Sequence, residues 1–223
     1  MKPDPVPAHD WGMDDIEFDT ALIASALKLA GEEGWRAVTA AAAARTASLP
    51  LPQARARFPH KSTILLRFGR MADQAALEEV LDEEPVRGRL FALLMRRFDA
   101  LQAHRAGVVA VMRALPMDPP MAAMLSCATR QSMRWMLQAA GVKATGIGGE
   151  LRVRGLVAVW LWTMRAWERD ETEDLTSTMA ALDAALARAE QAAGWLAGRP
   201  AVRMEVQTQA DEPIGDESEA ADA

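Results

Sequence analysis

The chain has 223 residues, half of them hydrophobic, which is enough to bury the core of one or two domains. Its single cysteine, Cys127, excludes an internal disulfide and a thiolate metal cluster, and it fits a reducing compartment. The formal net charge is −6, but positions 205–223 hold seven acidic residues and no Lys or Arg. The rest of the chain is therefore slightly basic, and the acidic total does not argue against a polyanionic partner.

The two ends of the chain differ in composition from the middle. Residues 1–16 and 199–223 are Pro-rich or acidic and poor in large apolar groups, so we expect disordered tails there. The first residues lack the basic and apolar regions of a signal peptide. The longest apolar run, residues 155–164, is shorter than the roughly 20 residues that a membrane-spanning helix needs. We therefore expect a cytoplasmic protein.

The first helix is predicted from a regular apolar spacing. Phe18, Leu22, Ala26 and Leu29 follow one another at three or four residues, which places them on one helical face. Gly34 is a plausible helix stop.

Two short helices follow, separated by a turn. Thr39 offers a hydroxyl cap for an alanine-rich helix that ends at Ala47, and residues 48–50 break the chain. The next helix is predicted over Leu51–Arg57. Three helices with a tight turn between the second and third have the layout of a helix-turn-helix, whose last helix can enter a DNA major groove.

The charge of this segment agrees with that interpretation. Residues 28–70 contain eight basic side chains against two acidic ones, Glu32 and Glu33. A basic segment in an acidic chain is typical of a nucleic-acid contact surface.

The motif residues resemble the head of TetR-type repressors. The matching segments are Ala26-Leu27-Lys28-Leu29, Glu33-Gly34-Trp35, Val38-Thr39, Ala44-Arg45 and Arg57-Phe58-Pro59-His60-Lys61. The resemblance implies that Phe58 anchors the recognition helix in the core. It also implies that Lys61 and Arg45 contact DNA phosphates.

The chain departs from the family pattern where DNA is read. Ser48 stands where the family usually has Gly in the turn, Arg55 where it has Tyr, and Pro50 where it has a Ser or Thr cap. Pro52 adds a second ring in the first turn, and each proline removes a donor that could have met a phosphate. We nevertheless expect DNA binding, with Gln53 and Arg55 facing bases. The phosphate contacts are expected from Arg57 as well as Arg45 and Lys61, and His60 belongs to the same surface.

A second, looser resemblance gives the alternative function. Gly34-Trp35, the tryptophans 160, 162 and 167, and the stretch from Asp170 to Asp183 are similar to the lipid-binding accessory proteins of ubiquinone biosynthesis. Those proteins have a TetR-like fold without DNA reading, which would make this chain a lipid or isoprenoid binder.

The remainder of the chain is predicted to be helical, so the fold class is all-α and TetR-like. Breaks at Pro85, 116–120, 141–149 and 170–173 delimit the helices, with a connector from His60 to Glu79 and a flexible turn at Gly146–Gly149. We expect a helix-turn-helix domain over residues 17–64 and a ligand-binding and dimerisation domain over 65–198.

Dimerisation is expected through the last two helices, predicted at 150–168 and 172–196, which can form a four-helix interface between two copies. A stripe at three- or four-residue spacing suits this contact. Its members are Leu175, Met179, Leu182, Leu186, Ala189 and Ala193. The alternative is that the stripe packs only on its own body.

A small hydrophobic ligand is expected in the body because its helices are rich in Met and Trp, which line adaptable apolar sites. The candidate residues are Met95, Met112, Met133, Trp135, Trp160 and Met164. The alternative is an ordinary core filled with methionine. Arg113, Arg130, Arg134 and Arg154 are more plausibly solvated than ligand anchors.

No catalytic arrangement is predicted. The three histidines have no partner spacing, Cys127 has no nearby His, and the Gly146–Gly149 cluster follows no strand. We therefore expect neither an enzyme nor a cofactor or metal site.

Overall fold

The computed structural model describes residues 14–78, 84–172 and 174–196. These residues form helices and turns without a strand, which confirms the all-α prediction. The helices are α1 (Asp15–Glu33), α2 (Ala40–Thr46), α3 (Leu51–Arg57), α4 (Lys61–Leu77), α5 (Val86–Gln102), α6 (Arg105–Ala114), α7 (Pro119–Ala139), α8 (Gly146–Arg169) and α9 (Thr176–Leu196). Single 3₁₀ turns lie at Trp35–Ala37 and Leu115–Met117. The predicted tails lie almost wholly outside the described residues.

The amino-terminal helices enclose a core of their own. Phe18 and Leu22 of α1 are fully buried there with Trp35, Ala54 and Phe58. Burial of Phe58 confirms its predicted anchoring role. Thr39 caps α2, since its hydroxyl oxygen accepts a hydrogen bond from the Ala42 N–H at 3.0 Å. The local signals for α2 and α3 were therefore sufficient to place both helices.

The turn between α2 and α3 has the conformation that the family glycine would adopt. Ser48 has a φ of +57°, and the Leu49 N–H donates to the Ala44 carbonyl at 2.8 Å. The Ser48 N–H also donates to the Arg45 carbonyl at 3.1 Å. These two bonds make a Schellman motif, so α2 ends in a glycine-type turn without the glycine. Pro50 precedes α3 as its cap residue, and its carbonyl accepts from the Ala54 N–H at 3.0 Å.

The second core lies among α4 to α9 and is filled by large apolar groups. Phe98 on α5 stacks on Trp160 of α8 with ring centroids 4.5 Å apart, and the Trp167 ring is tilted against Phe98 with centroids 6.3 Å apart. Helix α4 takes part in both cores: Ile64 is buried with the amino-terminal helices and Ala76 with the second core. The domain boundary predicted between residues 64 and 65 thus falls inside one continuous helix.

The two cores meet where α1 crosses α6. Gly107 lies so close to α1 that a Cβ there would be 2.2 Å from the Leu27 carbonyl oxygen, and a Cβ on Gly31 would meet Ala106 at 2.9 Å. Val111 of α6 is buried in the amino-terminal core. Small residues therefore allow a close backbone contact between the helix-turn-helix and the body.

Two predictions about the last helices are wrong. The cluster from Gly146 to Gly149 is the first turn of α8 rather than a flexible turn; a Cβ on Gly149 would be 2.3 Å from the Ala144 carbonyl carbon, so the helix starts against the preceding chain. Most of the predicted stripe does not face outward: Leu175, Leu182 and Leu186 are buried within the body, Met179 and Ala189 are half-buried, and Ala193 is exposed. A regular stripe records that a face is buried, but it does not say which helix covers it.

Candidate nucleic-acid interface

Helix α3 presents one face to the core and the other to solvent. Ala54 is buried, whereas Leu51, Arg55 and Ala56 are exposed. Leu51 is an apolar side chain at the first position of α3, and sequence reasoning did not select it as a contact residue. Apolar groups at this position of a recognition helix can meet a thymine methyl group.

The two predicted base-reading residues differ in their setting. Arg55 is exposed, and its Nη1 donates to the Pro59 carbonyl at 2.8 Å across the end of α3. Gln53 is half-buried, and its Oε1 is buried without a partner among the described residues. A guanidinium has five N–H donors, so Arg55 keeps most of them for an external acceptor.

Arg57 is held by carboxylates of α1. Its Nε and Nη2 lie 2.6 and 2.9 Å from the two oxygens of Asp19, and Nη1 lies 2.6 Å from Asp15. The hydrogen bonds that Arg57 donates to Asp19 raise the pKa of Arg57, against the effect of its partial burial. Arg67 of α4 binds the same Asp19 carboxylate. A phosphate contact by Arg57 would therefore compete with pairs that fasten α3 and α4 to α1.

Lys61 opens α4 beside the 3₁₀ turn. Its Nζ donates to the Trp35 carbonyl and to the Arg36 carbonyl at 3.3 Å, and it lies 4.4 Å from the centre of the Trp35 ring. Desolvation lowers the pKa of Lys61, partly offset by Asp118. An ammonium group has three donors, so one remains for a phosphate. His60, the residue before α4, is exposed.

The remaining cations make this surface basic. Arg36, Arg45 and Arg70 are exposed, and residues 34–72 include no Asp or Glu. A cleft of about 440 Å³ runs between the start of α2 and α3, with Thr39, Leu51, Arg55 and Lys61 among its lining residues. All six predicted DNA-contact residues have exposed or half-buried side chains around α3 and its neighbouring turns: Arg45, Arg55 and His60 are exposed, and Gln53, Arg57 and Lys61 are half-buried.

The six predicted ligand residues do not share one environment. Met133, Trp160 and Met164 are buried in the body core, and Met95 and Met112 are half-buried against it. Trp135 is 55% exposed on α7 and does not belong to that core.

A pocket of about 630 Å³ lies instead between α5 and α9. Phe91, Met179 and Ala180 give it an apolar floor, and an ion pair of 2.7 Å between Arg87 and Asp183 lies at its edge. None of the six predicted ligand residues lines it.

Sequence reasoning missed a buried cation in the body. Arg97 of α5 is only 6% exposed and lies between Asp73 of α4, with Nη1 3.2 Å from Oδ1, and the ring of Trp160, 4.6 Å from its centre. Burial lowers the pKa of Arg97 and raises that of Asp73, each opposed by attraction to the other. The signal was present, because Arg97 is four residues after Leu93 and four before Leu101 on the apolar face of α5.

The described residues bring together no group of three metal-ligating side chains. Among the same residues, the structure includes no helix with the length and apolar character required to cross a membrane.

The described part of the chain is helical, with a helix-turn-helix head joined to a helical body. No family model and no curated protein matches the sequence. Solved structures do match. A TetR transcriptional regulator from Nitrosomonas europaea aligns at 22% identity and a TM-score of 0.63, covering 78% of this chain and 98% of that one.

Two further structures agree. A TetR-family transcriptional regulator from Streptomyces coelicolor aligns at 21% identity and a TM-score of 0.59, covering 82% of this chain and 85% of its own. A TetR transcriptional regulator from Rhodococcus aligns at 17% identity and a TM-score of 0.54, covering 80% and 97%. The chain has the fold of the TetR-family regulators, as its motif residues indicated.

Proposed function

We propose that this protein is a dimeric, non-enzymatic DNA-binding transcriptional regulator whose body responds to a small hydrophobic ligand. The observation that carries the proposal is the exposed outer face of α3, which lies in a segment, residues 34–70, that contains no Asp or Glu and exposes Arg36, Arg45, Arg55 and Arg70. A cationic surface around an exposed recognition helix is what major-groove binding requires.

In this proposal each head places α3 in a major groove. Arg55 reaches base edges, Gln53 contributes from its half-buried position, and Arg45 and Lys61 hold phosphates on either side. We assign Arg57 to the attachment of α3 on α1, because its donors already meet Asp15 and Asp19.

The proposed dimer uses the outer faces of α8 and α9. Ile147, Leu151 and Trp162 of α8 are exposed, and the small residues Gly155 and Ala158 lie between them on the same face. Exposed alanines at 180, 184 and 192 continue this surface on α9. An apolar patch with small residues at its centre suits close packing of two helix pairs around a twofold axis.

Regulation is proposed to run through α4, which belongs to both cores. A ligand that binds one arrangement of the body more tightly would shift α4 and the α1–α6 contact, and so change the spacing of the two heads. We propose repression relieved by the ligand. Lipid binding would not account for the basic surface around α3, so we favour DNA binding over that alternative.

The test is fluorescence anisotropy of the full chain with labelled duplexes from its own upstream region, a scrambled duplex as control, and several salt concentrations. Sequence-selective binding with a steep salt slope is expected. Arg55→Ala should reduce selectivity, whereas Lys61→Ala should weaken binding to all duplexes and flatten the log K against log salt slope by about one unit. Arg113→Ala, on the body and exposed, is the matched control. Equal binding to both duplexes that vanishes at physiological salt would refute the proposal in favour of lipid binding.

A further inference from the structure

Arg97 is a buried cation with too few hydrogen-bond acceptors around it. The side chain is among the few buried polar groups, and its Nε and Nη1 make no hydrogen bond within the described part of the chain. Asp73 faces Nη1 at 3.2 Å, but Oδ1 of Asp73 also lacks a hydrogen bond, so the pair attracts without aligned bonds. A buried guanidinium left in this way is costly unless another acceptor completes it.

The neighbours of Arg97 are apolar and adaptable. Its guanidinium lies over Trp160, which stacks on Phe98, and the same core holds Met133 and Met164. Methionine side chains are unbranched and can repack around an inserted apolar group. One charged anchor in an apolar surrounding is the usual composition of a small-molecule site.

The competing carboxylate belongs to the connector helix. Asp73 lies on α4 and accepts a hydrogen bond from the Ser132 hydroxyl of α7. Its side chain is partly exposed. It can therefore turn to solvent when another carboxylate takes its place, and α4 would lose its ionic tie to α5.

From this arrangement we infer that the body binds an apolar monocarboxylate, whose carboxylate takes the place of Asp73 and accepts a hydrogen bond from Arg97 Nη1, while its apolar part lies among Trp160 and the buried methionines. The inference rests on the proposed function, since it names the ligand class of that regulator. A hydrogen bond from a guanidinium to a carboxylate is charge-assisted and is stronger than one between neutral groups.

The test is direct binding of octanoate, with 1-octanol as the neutral probe of the same length, measured by calorimetry and tryptophan emission on the full chain without DNA. Octanoate is expected to bind at least tenfold more tightly than octanol. Arg97→Gln should weaken octanoate binding by about tenfold or more, the usual size of a lost charged hydrogen bond. Arg113→Gln, an exposed arginine of the same body, should leave it unchanged.

Asp73→Asn supplies the decisive arm, because it keeps Arg97 and removes only the competitor. We expect this variant to bind octanoate several-fold more tightly than the parent, a gain that remains measurable if Arg97→Gln fails to fold. Equal affinity for octanoate and octanol, no octanoate binding, or no gain in Asp73→Asn would overturn the inference and leave a structural ion pair. DNA selectivity is measured separately without octanoate, so failure of the proposed function is distinguishable from failure of the ligand class.

Discussion

Asp170 ties the turn after α8 to the start of α9. Its buried carboxylate accepts hydrogen bonds from the Thr178 N–H and hydroxyl, both at 2.7 Å, and from the Thr172 hydroxyl at 2.5 Å. Burial raises the pKa of this carboxyl, but the hydrogen bonds from Thr172 and Thr178 outweigh it and lower the pKa to about 2. Asp170 therefore has a structural role.

Replacing Asp170 should lower the stability of the fold by an amount that depends on pH. A carboxyl group whose pKa is depressed on folding stabilises the fold at pH values above its ordinary pKa of 3.8. This stabilisation is lost as the pH falls towards about 2. The melting temperature of Asp170→Asn should therefore lie below that of the parent at pH 7, and the gap should narrow between about pH 4 and pH 2. Asp174→Asn, at an exposed carboxylate of the same turn, should give a smaller gap. A gap that is independent of pH would contradict this assignment.

Gly34 is required by backbone conformation alone. Its φ of +83° and ψ of +151° belong to a region that residues with a side chain avoid, and a Cβ there would have open space around it. Gly34→Ala should therefore lower the free energy of unfolding by about 1–3 kcal/mol, measured by urea denaturation.

Gly69→Ala is the matched control for that measurement. Gly69 is also open but lies inside α4, where Ala is favoured, so the free energy of unfolding should rise by about 0.5–1 kcal/mol. A loss of stability in both variants would point to side-chain crowding rather than to the backbone angle.

At the scale of the elements, the crossing of α1 and α6 couples head and body. Gly107→Ala would place a Cβ against the Leu27 backbone, which cannot move as a side-chain end can. We expect a loss of about 1–3 kcal/mol in the free energy of unfolding, the usual cost of overpacking, together with faster hydrogen exchange in α1 and α6.

The control for this crossing is Gly194→Ala on α9, where an added Cβ meets nothing. Its hydrogen exchange should match the parent within α1 and α6. Equal stability of Gly107→Ala and Gly194→Ala would contradict a close contact between the backbones of α1 and α6.

At the scale of the whole molecule, the exposed face of α8 should decide the oligomeric state. Trp162 is 55% exposed on that face, with the Arg188 guanidinium 6.0 Å from its ring. Trp162→Glu is expected to convert a dimer to a monomer in sedimentation velocity experiments, because a buried unpaired carboxylate is costly. Trp135→Glu, equally exposed but on α7, should leave the dimer intact. If only Trp135→Glu dissociated the dimer, the result would contradict an interface on α8.

Local patterns in the sequence were enough to predict the head. Thr39 caps α2, Gly34 ends α1, and the two prolines at the start of α3 stand where first-turn amides have no helical partner. Such signals act over a few residues, so reading them needs no knowledge of the rest of the fold. The bounds of α3, Leu51–Arg57, agree with the prediction residue for residue.

The tertiary structure alone decided which charged side chains are paired and which apolar helix faces are buried. Arg57 is 38 positions from Asp19, and Arg97 is 24 from Asp73, so no local pattern could pair them. The α9 stripe and the outer face of α8 are both apolar, yet only packing shows that the first is core and the second is exposed. The sequence by itself determined the head and most of the helix positions, because caps and periodicity are local. The partners of its arginines and apolar faces depend on contacts between distant helices, and only the folded chain creates these.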